Sequence, residues 1–112
     1  MKIKTLTAQL SVSSQIAAAD VPDIKARGFS SIICNRPDQE AADQPSFDDI
    51  AAVATELGLQ VAYLPVVSGH MTAGDAEAFV KLLEDLPGPV LAYCRSGTRS
   101  EMLWSAGQAR GA

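Results

Sequence analysis

Apolar residues recur at helical spacing in several stretches of this 112-residue chain. Ile50, Val53, Ala54 and Leu57 mark one face of a helix that Ser46-Phe47-Asp48-Asp49 opens in capping-box fashion and Gly58 closes. Ala76, Phe79, Val80, Leu83 and Leu86 mark a second, opened by Thr72-Ala73-Gly74-Asp75. Met102, Leu103 and Ala106 lie on one face of a third, which starts at about Ser100. A shorter helix is expected over about 18–27, with Pro22 in its first turn and Gly28 at its end. Short apolar, β-branched runs at 29–34, 60–64 and 90–93 read as strands. Residues 2–13 alternate weakly and predict one or two short strands at the sheet edge.

The order is helix, strand, helix, strand, helix, strand, loop, helix. That alternation predicts an α/β fold of three layers, a parallel sheet with right-handed crossovers and helices on both faces. No internal repeat, low-complexity segment or linker interrupts it, so residues 1–112 read as a single domain.

In such a sheet, ligands collect outside the carboxyl ends of the strands. Three loops meet there: those after Cys34, after Leu64 and after Tyr93. The last runs Cys94-Arg95-Ser96-Gly97-Thr98-Arg99-Ser100, between the final strand and the final helix. A strand, a tight turn and a helix N-terminus together make an anion cradle. Thiols near helix N-termini and arginines ionise at roughly 3.5–7.5, against about 8.5 for a free thiol. Cys94 is therefore the candidate nucleophile, the alternative being a buried structural cysteine. Arg99 is the candidate partner in catalysis; Arg95, Ser96, Gly97, Thr98 and Ser100 are candidates to hold an anion. The other two loops contribute Asn35, Arg36, Asp38, Ser68 and His70 as supporting candidates, each also readable as ordinary turn or surface chemistry. Cys34 reads as core, or else as a resolving thiol for Cys94. Tyr93 and Trp104 read as packing residues beside the loop.

A net charge of −4 argues against nucleic acid or an anionic membrane as partner. Arginines gathered in the loops of an acidic chain point to a small bound anion. Two distant cysteines and one histidine make no convincing metal site, and no cofactor is implied. No signal-like or membrane-spanning run is present, so a reducing cytoplasm, where a thiol stays available, is expected.

The loop from Tyr93 to Ser100 resembles two active-site loops. One belongs to cysteine-dependent protein tyrosine phosphatases (Cys-x-x-Gly-x-x-Arg-Ser), the other to single-domain rhodaneses (Cys-Arg-x-Gly-x-Arg-Ser). With Cys34-Asn35-Arg36-Pro37-Asp38, Leu64-Pro65-Val66-Val67-Ser68-Gly69 and Pro87-Gly88-Pro89, the chain as a whole is similar to the phosphatase-like domain of beta-lactamase-hydrolase-like proteins. The resemblance implies a fold like that of dual-specificity phosphatases. It also implies a domain that occurs alone or fused to, or paired with, a persulfide dioxygenase, and either phosphatase or sulfur-transfer chemistry.

Two features bear on that choice. Four residues separate Cys94 from Arg99, one fewer than in the phosphatase signature, and a smaller ring of N–H groups suits a terminal sulfur. The loop after the preceding strand, Val66-Val67-Ser68-Gly69-His70, carries no carboxylate, and a general acid is worth about 10²–10⁴-fold. On these grounds the favoured expectation is a rhodanese-like sulfurtransferase passing sulfur through a Cys94 persulfide to a thiol acceptor. The alternatives are a phosphatase working through a phosphocysteine and a non-catalytic anion- or persulfide-binding module.

Overall fold

The structure, a computed structural model, describes residues 1–111. Five strands form one mixed sheet: β1 (Ile3–Thr7), β2 (Leu10–Ser13), β3 (Ser31–Cys34), β4 (Gln60–Tyr63) and β5 (Val90–Tyr93), in the order β1-β2-β5-β3-β4. Four of the strands run parallel, with β5 central between β2 and β3. The all-parallel expectation needs one correction: β1 pairs antiparallel with β2, through a short turn. Of the two N-terminal strands β1 alone lies at an edge; β2 lies one strand in, and all four of its residues are buried.

Four helices cover the two faces: α1 (Val21–Ala26), α2 (Phe47–Glu56), α3 (Ala73–Asp85) and α4 (Thr98–Gly111). Because side chains alternate along each strand, the core divides in two. Ile32, Cys34, Leu91 and Tyr93 pack with Val21, Ile24, Ile50 and Ala54 under α1 and α2. Leu10, Val12, Ile33, Val90 and Ala92 pack with Phe79 and Leu103 under α3 and α4.

The helix starts follow local chemistry. Thr72 Oγ1 accepts from the Asp75 N–H and Asp75 Oδ2 accepts from the Thr72 N–H, a complete capping box. Ser46 Oγ accepts from the Asp49 N–H, while the Phe47 N–H goes to Asp38 Oδ1 across the preceding loop. In α4, Leu103 points inward but Met102 is 51% exposed, contrary to the expected apolar face. The inward turn is completed by Gly107, where a Cβ would come within 2.6 Å of Val80 Cγ2. Close approach to α3, not a stripe of large residues, sets the face that α4 buries.

Candidate active site

The site is built where β5 ends and α4 begins. Asn35 N–H donates to Tyr93 O and Leu64 N–H to Cys34 O, which holds the ends of β3, β4 and β5 level. The asparagine side chain then ties all three loops together. Its Nδ2 donates to Leu64 O at 3.0 Å and its Oδ1 accepts from the Ser100 hydroxyl at 2.8 Å; both residues are fully buried. Asn35 and Ser100 thereby fix the start of α4 relative to the sheet.

The loop itself turns tightly. Cys94 N–H donates to Ser13 O, and Gln15 N–H donates to Arg95 O. Gly97 sits at φ +92°, where an L side chain is strained, and a Cβ there would crowd the Ser13 carbonyl carbon at 3.4 Å. This turn aims the Gly97 N–H at the Cys94 sulfur, 3.1 Å away. The first hydrogen bond of α4 runs from Glu101 N–H to Gly97 O. The N–H groups of Arg99 and Ser100 therefore precede the helical ladder and belong to the positive end of its dipole.

Arg99 turns back over the loop, and only 10% of its side chain is exposed. Nη1 donates to Val66 O at 2.8 Å and to Glu40 Oε2 at 2.6 Å; Nη2 donates to Glu40 Oε1 at 2.9 Å. Glu40 Oε1 also accepts from Arg36 Nε at 2.9 Å, and Arg36 Nη1 donates to Gln15 Oε1 at 3.0 Å. These hydrogen bonds, those from Arg99 first, hold the Glu40 carboxyl down at about 2, against 4.5 ordinarily. The guanidinium of Arg99 is pushed up in turn, chiefly by Glu40 and in smaller part by the adjoining Cys94 sulfur.

Cys94 is fully covered. Beside it lies a hollow of about 170 Å³ walled by Val67, Ser68, Arg95, Ser96, Arg99 and Met102, among others. Val67 and Met102 give this hollow an apolar, exposed rim. An anion that reaches the sulfur has to displace part of the cover. The surroundings of the thiol suit a nucleophile: one backbone donor on the sulfur, the start of α4 just after it in the chain, and a guanidinium near enough to respond to it.

The structure brings together most of the residues picked out by the sequence. Cys94, Gly97, Arg99 and Ser100 form the cradle; Arg95, Ser96 and Thr98 line its mouth. Asn35 and Arg36 are buried in the supporting network, and Ser68 reaches the hollow. Asp38 is placed elsewhere. Its backbone N–H donates to the Tyr63 hydroxyl and its carboxylate accepts from Phe47 N–H, so it anchors the loop that follows Cys34. His70 is exposed and is not among the residues lining the hollow. Cys34 lies in the core, its thiol donating to Arg36 O at 3.2 Å, and burial pushes its ionisation up. Glu40, Gln15 and the Val66 carbonyl went unread. Glu40 had a faint signal in its spacing of four from Arg36; Gln15 had none.

Residues 2–111 match the family model described as the beta-lactamase hydrolase-like protein, phosphatase-like domain. The beta-lactamase hydrolase-like protein of Agrobacterium fabrum is 35% identical over 109 residues, 97% of this chain but 25% of that protein. The chain thus spans about a quarter of the length of the curated relatives it matches. Among solved structures, a protein from Neisseria meningitidis described as a candidate phosphatase superposes with a TM-score of 0.85 at 34% identity, covering 96% of this chain and 87% of that one. Tk-PTP in its active form superposes with a TM-score of 0.65 at 18% identity, covering 95% of this chain and 80% of that one. The fold is that of protein tyrosine phosphatase-like and dual-specificity phosphatases.

Proposed function

The chain belongs to the family of phosphatase-like domains of beta-lactamase hydrolase-like proteins, and from that membership we propose that it hydrolyses phosphate monoesters through a phosphocysteine on Cys94. The observation that carries the reading is the pairing of Cys94 with Arg99 at the start of α4. The sulfur accepts from the Gly97 N–H and is close enough to the Arg99 guanidinium to help push its ionisation up, in a phosphatase-like fold.

In this mechanism the Cys94 thiolate attacks phosphorus, the P–O bond breaks with its electron pair, and the leaving group departs as its oxyanion, such as a phenolate. Arg99 and the open amides at the loop and helix start hold the equatorial oxygens. Water then attacks the phosphocysteine, releasing phosphate and regenerating the thiolate. Asn35 and Ser100 keep the loop at the sheet end. Glu40, held at about 2, stays ionised and supplies no proton to the leaving group at neutral pH. Asp75 and Asp38 are tied up in helix and loop anchoring. The enzyme accordingly works best on esters whose leaving group needs no protonation, such as aryl phosphates.

A reading as sulfurtransferase draws on the short Cys94–Arg99 spacing, but the comparisons favour phosphate. The two readings part in a single experiment. Wild-type protein is incubated with an aryl phosphate, and separately with thiosulfate plus cyanide. Phosphatase activity that disappears in Cys94→Ser, Arg99→Ala and Arg99→Lys supports the proposal, since a point charge does not replace the planar fork of arginine. Thiocyanate production without phosphate release would transfer the assignment to sulfur. The substrate we infer is a small anionic ester. Both cysteines are free, which fits work in a reducing compartment such as the cytoplasm. We further propose that the domain works fused to or paired with a persulfide dioxygenase, which co-purification with such an enzyme would test.

A further inference from the structure

A second hollow, of about 430 Å³, lies against the cysteine loop. Its walls include Lys2, Lys4, Ser96, Gly97, Thr98 and Glu101. Ser96 and Thr98 also line the smaller hollow beside Cys94, so the two spaces share a wall. That wall is polar: the Ser96 hydroxyl donates to Thr98 Oγ1 at 3.0 Å and accepts from the Thr98 N–H at 3.4 Å.

The fold fixes the two lysines beside the loop. Lys4 is paired with Val12 across β1 and β2, and Val12 packs under α3 and α4. Side chains alternate along a strand, so Lys4 and Lys2, two positions before it, take the same side as α4. Lys4 Nζ accordingly reaches Glu101 on the first turn of α4, at 3.0 and 3.3 Å. The Lys2 N–H donates to Ser14 Oγ at 2.9 Å and its carbonyl accepts from the Ser14 N–H at 3.3 Å. The flanking residues Ser13 and Gln15 are in turn bonded to the active loop, at Cys94 N–H and Arg95 O. Two hydrogen-bond steps thus tie the backbone of Lys2 to the nucleophile's own turn.

The residues lining the two hollows carry four cations, Lys2, Lys4, Arg95 and Arg99, against one carboxylate, Glu101. Arg99 is engaged by Glu40. Glu101 meets Lys4 in an exposed ion pair, of a kind that contributes little and is readily exchanged for another anion. Among the described residues no carboxylate pairs with Lys2 or Arg95. In a chain of net charge −4, this is more local positive charge than one phosphate on Cys94 calls for. We propose that the substrate is a phosphate monoester carrying a second anionic group, a phosphate or a carboxylate, whose body crosses the Ser96–Thr98 wall and sets that group between Lys2 and Lys4. The chemistry rests on the phosphatase reading; the anion subsite rests on the hollow and its charges.

Phosphonates, whose C–P bond is not hydrolysed, read the subsite without turnover. Titration calorimetry at low salt compares phenylphosphonate with benzene-1,3-diphosphonate and with 3-carboxyphenylphosphonate, which separates a second phosphate from a carboxylate. Exposed ion pairs are each worth about 2- to 5-fold in affinity, so with two lysines at least one of the doubly anionic ligands should bind about 5- to 20-fold tighter. For the diphosphonate this is beyond the factor of about two that its two equivalent ends supply. The ratio should fall by about 2- to 5-fold in Lys2→Ala and in Lys4→Ala, and approach the statistical value in the double variant. It should also collapse at about 1 M salt, where charges are screened within about 3 Å. Both lysines are exposed, so the variants are expected to melt like wild type. Lys81→Ala removes the same charge from α3, where Lys81 pairs with Asp85, and should leave the ratio unchanged.

No preference for either doubly anionic ligand in wild type, or no binding of any of the three, would overturn the proposal. So would a preference that survives in the double variant, or one that Lys81→Ala lowers as much as Lys2→Ala, since overall charge would then be its cause. The matching esters, phenyl phosphate, 1,3-phenylene bisphosphate and 3-carboxyphenyl phosphate, should follow the same order in kcat/KM. Phosphonates that bind as expected beside esters that are not hydrolysed would remove the phosphatase reading and leave the subsite. Hydrolysis of all three esters at equal kcat/KM, with no binding preference, would do the reverse.

Discussion

Replacing Asn35 with alanine tests how the three loops are held. The side chain is fully buried and makes two hydrogen bonds, to Leu64 O at 3.0 Å and from Ser100 Oγ at 2.8 Å. Truncation strands the Leu64 carbonyl, at about 1–3 kcal/mol for a buried acceptor left without its partner. It also removes the acceptor of the Ser100 hydroxyl; that group can rotate, so about 1 kcal/mol is appropriate. The sum is about 2–4 kcal/mol, and with roughly 4 °C per kcal/mol for a domain of this size the melting temperature should fall by about 8–16 °C. Ser100→Ala, which leaves the Leu64 contact intact but strands the buried Asn35 Oδ1, should cost about 1–3 kcal/mol. The Asn35→Ala/Ser100→Ala double variant should cost less than the sum of the singles, because they share a bond. Chemical denaturation of the four proteins supplies the cycle. Additive effects, or a loss below about 1 kcal/mol in Asn35→Ala, would refute the reasoning that this side chain joins the loops.

Gly97→Ala places a Cβ at a left-handed φ against the Ser13 backbone. It should cost about 1–3 kcal/mol and lower kcat by more than the stability loss explains, measured at a temperature where the variant is fully folded. Glu40 binds its proton more weakly in the folded chain, at about 2, than its ordinary 4.5. Its contribution to stability is therefore complete above about pH 5 and lost as pH falls toward 2. A quarter of the side chain is exposed, so we set that contribution at about 1–2 kcal/mol, and the stability gap between wild type and Glu40→Gln should close over this range. If neither Glu40, held ionised, nor the anchored Asp38 and Asp75 protonates the leaving group, rates across a series of phosphate esters should fall steeply as the leaving group becomes more basic; a flat series would reveal a proton donor. Tyr93 buries its hydroxyl beside the Cys34 thiol without a hydrogen-bond partner of good geometry. Tyr93→Phe should therefore be neutral or stabilising by about 1 kcal/mol, read from a thermal melt.

The central strand, the cysteine turn and the following helix were legible because their signals are local. A short apolar run, a glycine that must turn left-handed and a helical pattern lie within 20 residues. The inward position of β2 was not legible, since Ser11 and Ser13 alternate with Leu10 and Val12 as they would on a half-solvated edge. In the fold both serines are buried, under neighbours on either side that only the pairing reveals. Met102 misled in the converse way: α4 packs through Gly107 against Val80, and large residues beside that contact turn outward. Asn35 could be nominated from its place after a strand. Glu40 could not, because its partner Arg99 is 59 residues away and the loop that carries it takes its shape from contacts with Tyr63 and α2. The choice between sulfur and phosphate was not legible in the loop, and it is the family and its solved neighbours that favour phosphate. Counting residues between Cys94 and Arg99 measures chain length, whereas anion binding depends on where the donors point.

The most direct test is the intact mass of the protein quenched in acid during turnover of an aryl phosphate. The account predicts one phosphoryl group on Cys94 in wild type and none on Cys94→Ser. Persistent hydrolysis by the serine variant, or an unmodified Cys94 in a wild-type enzyme that is turning over, would contradict it.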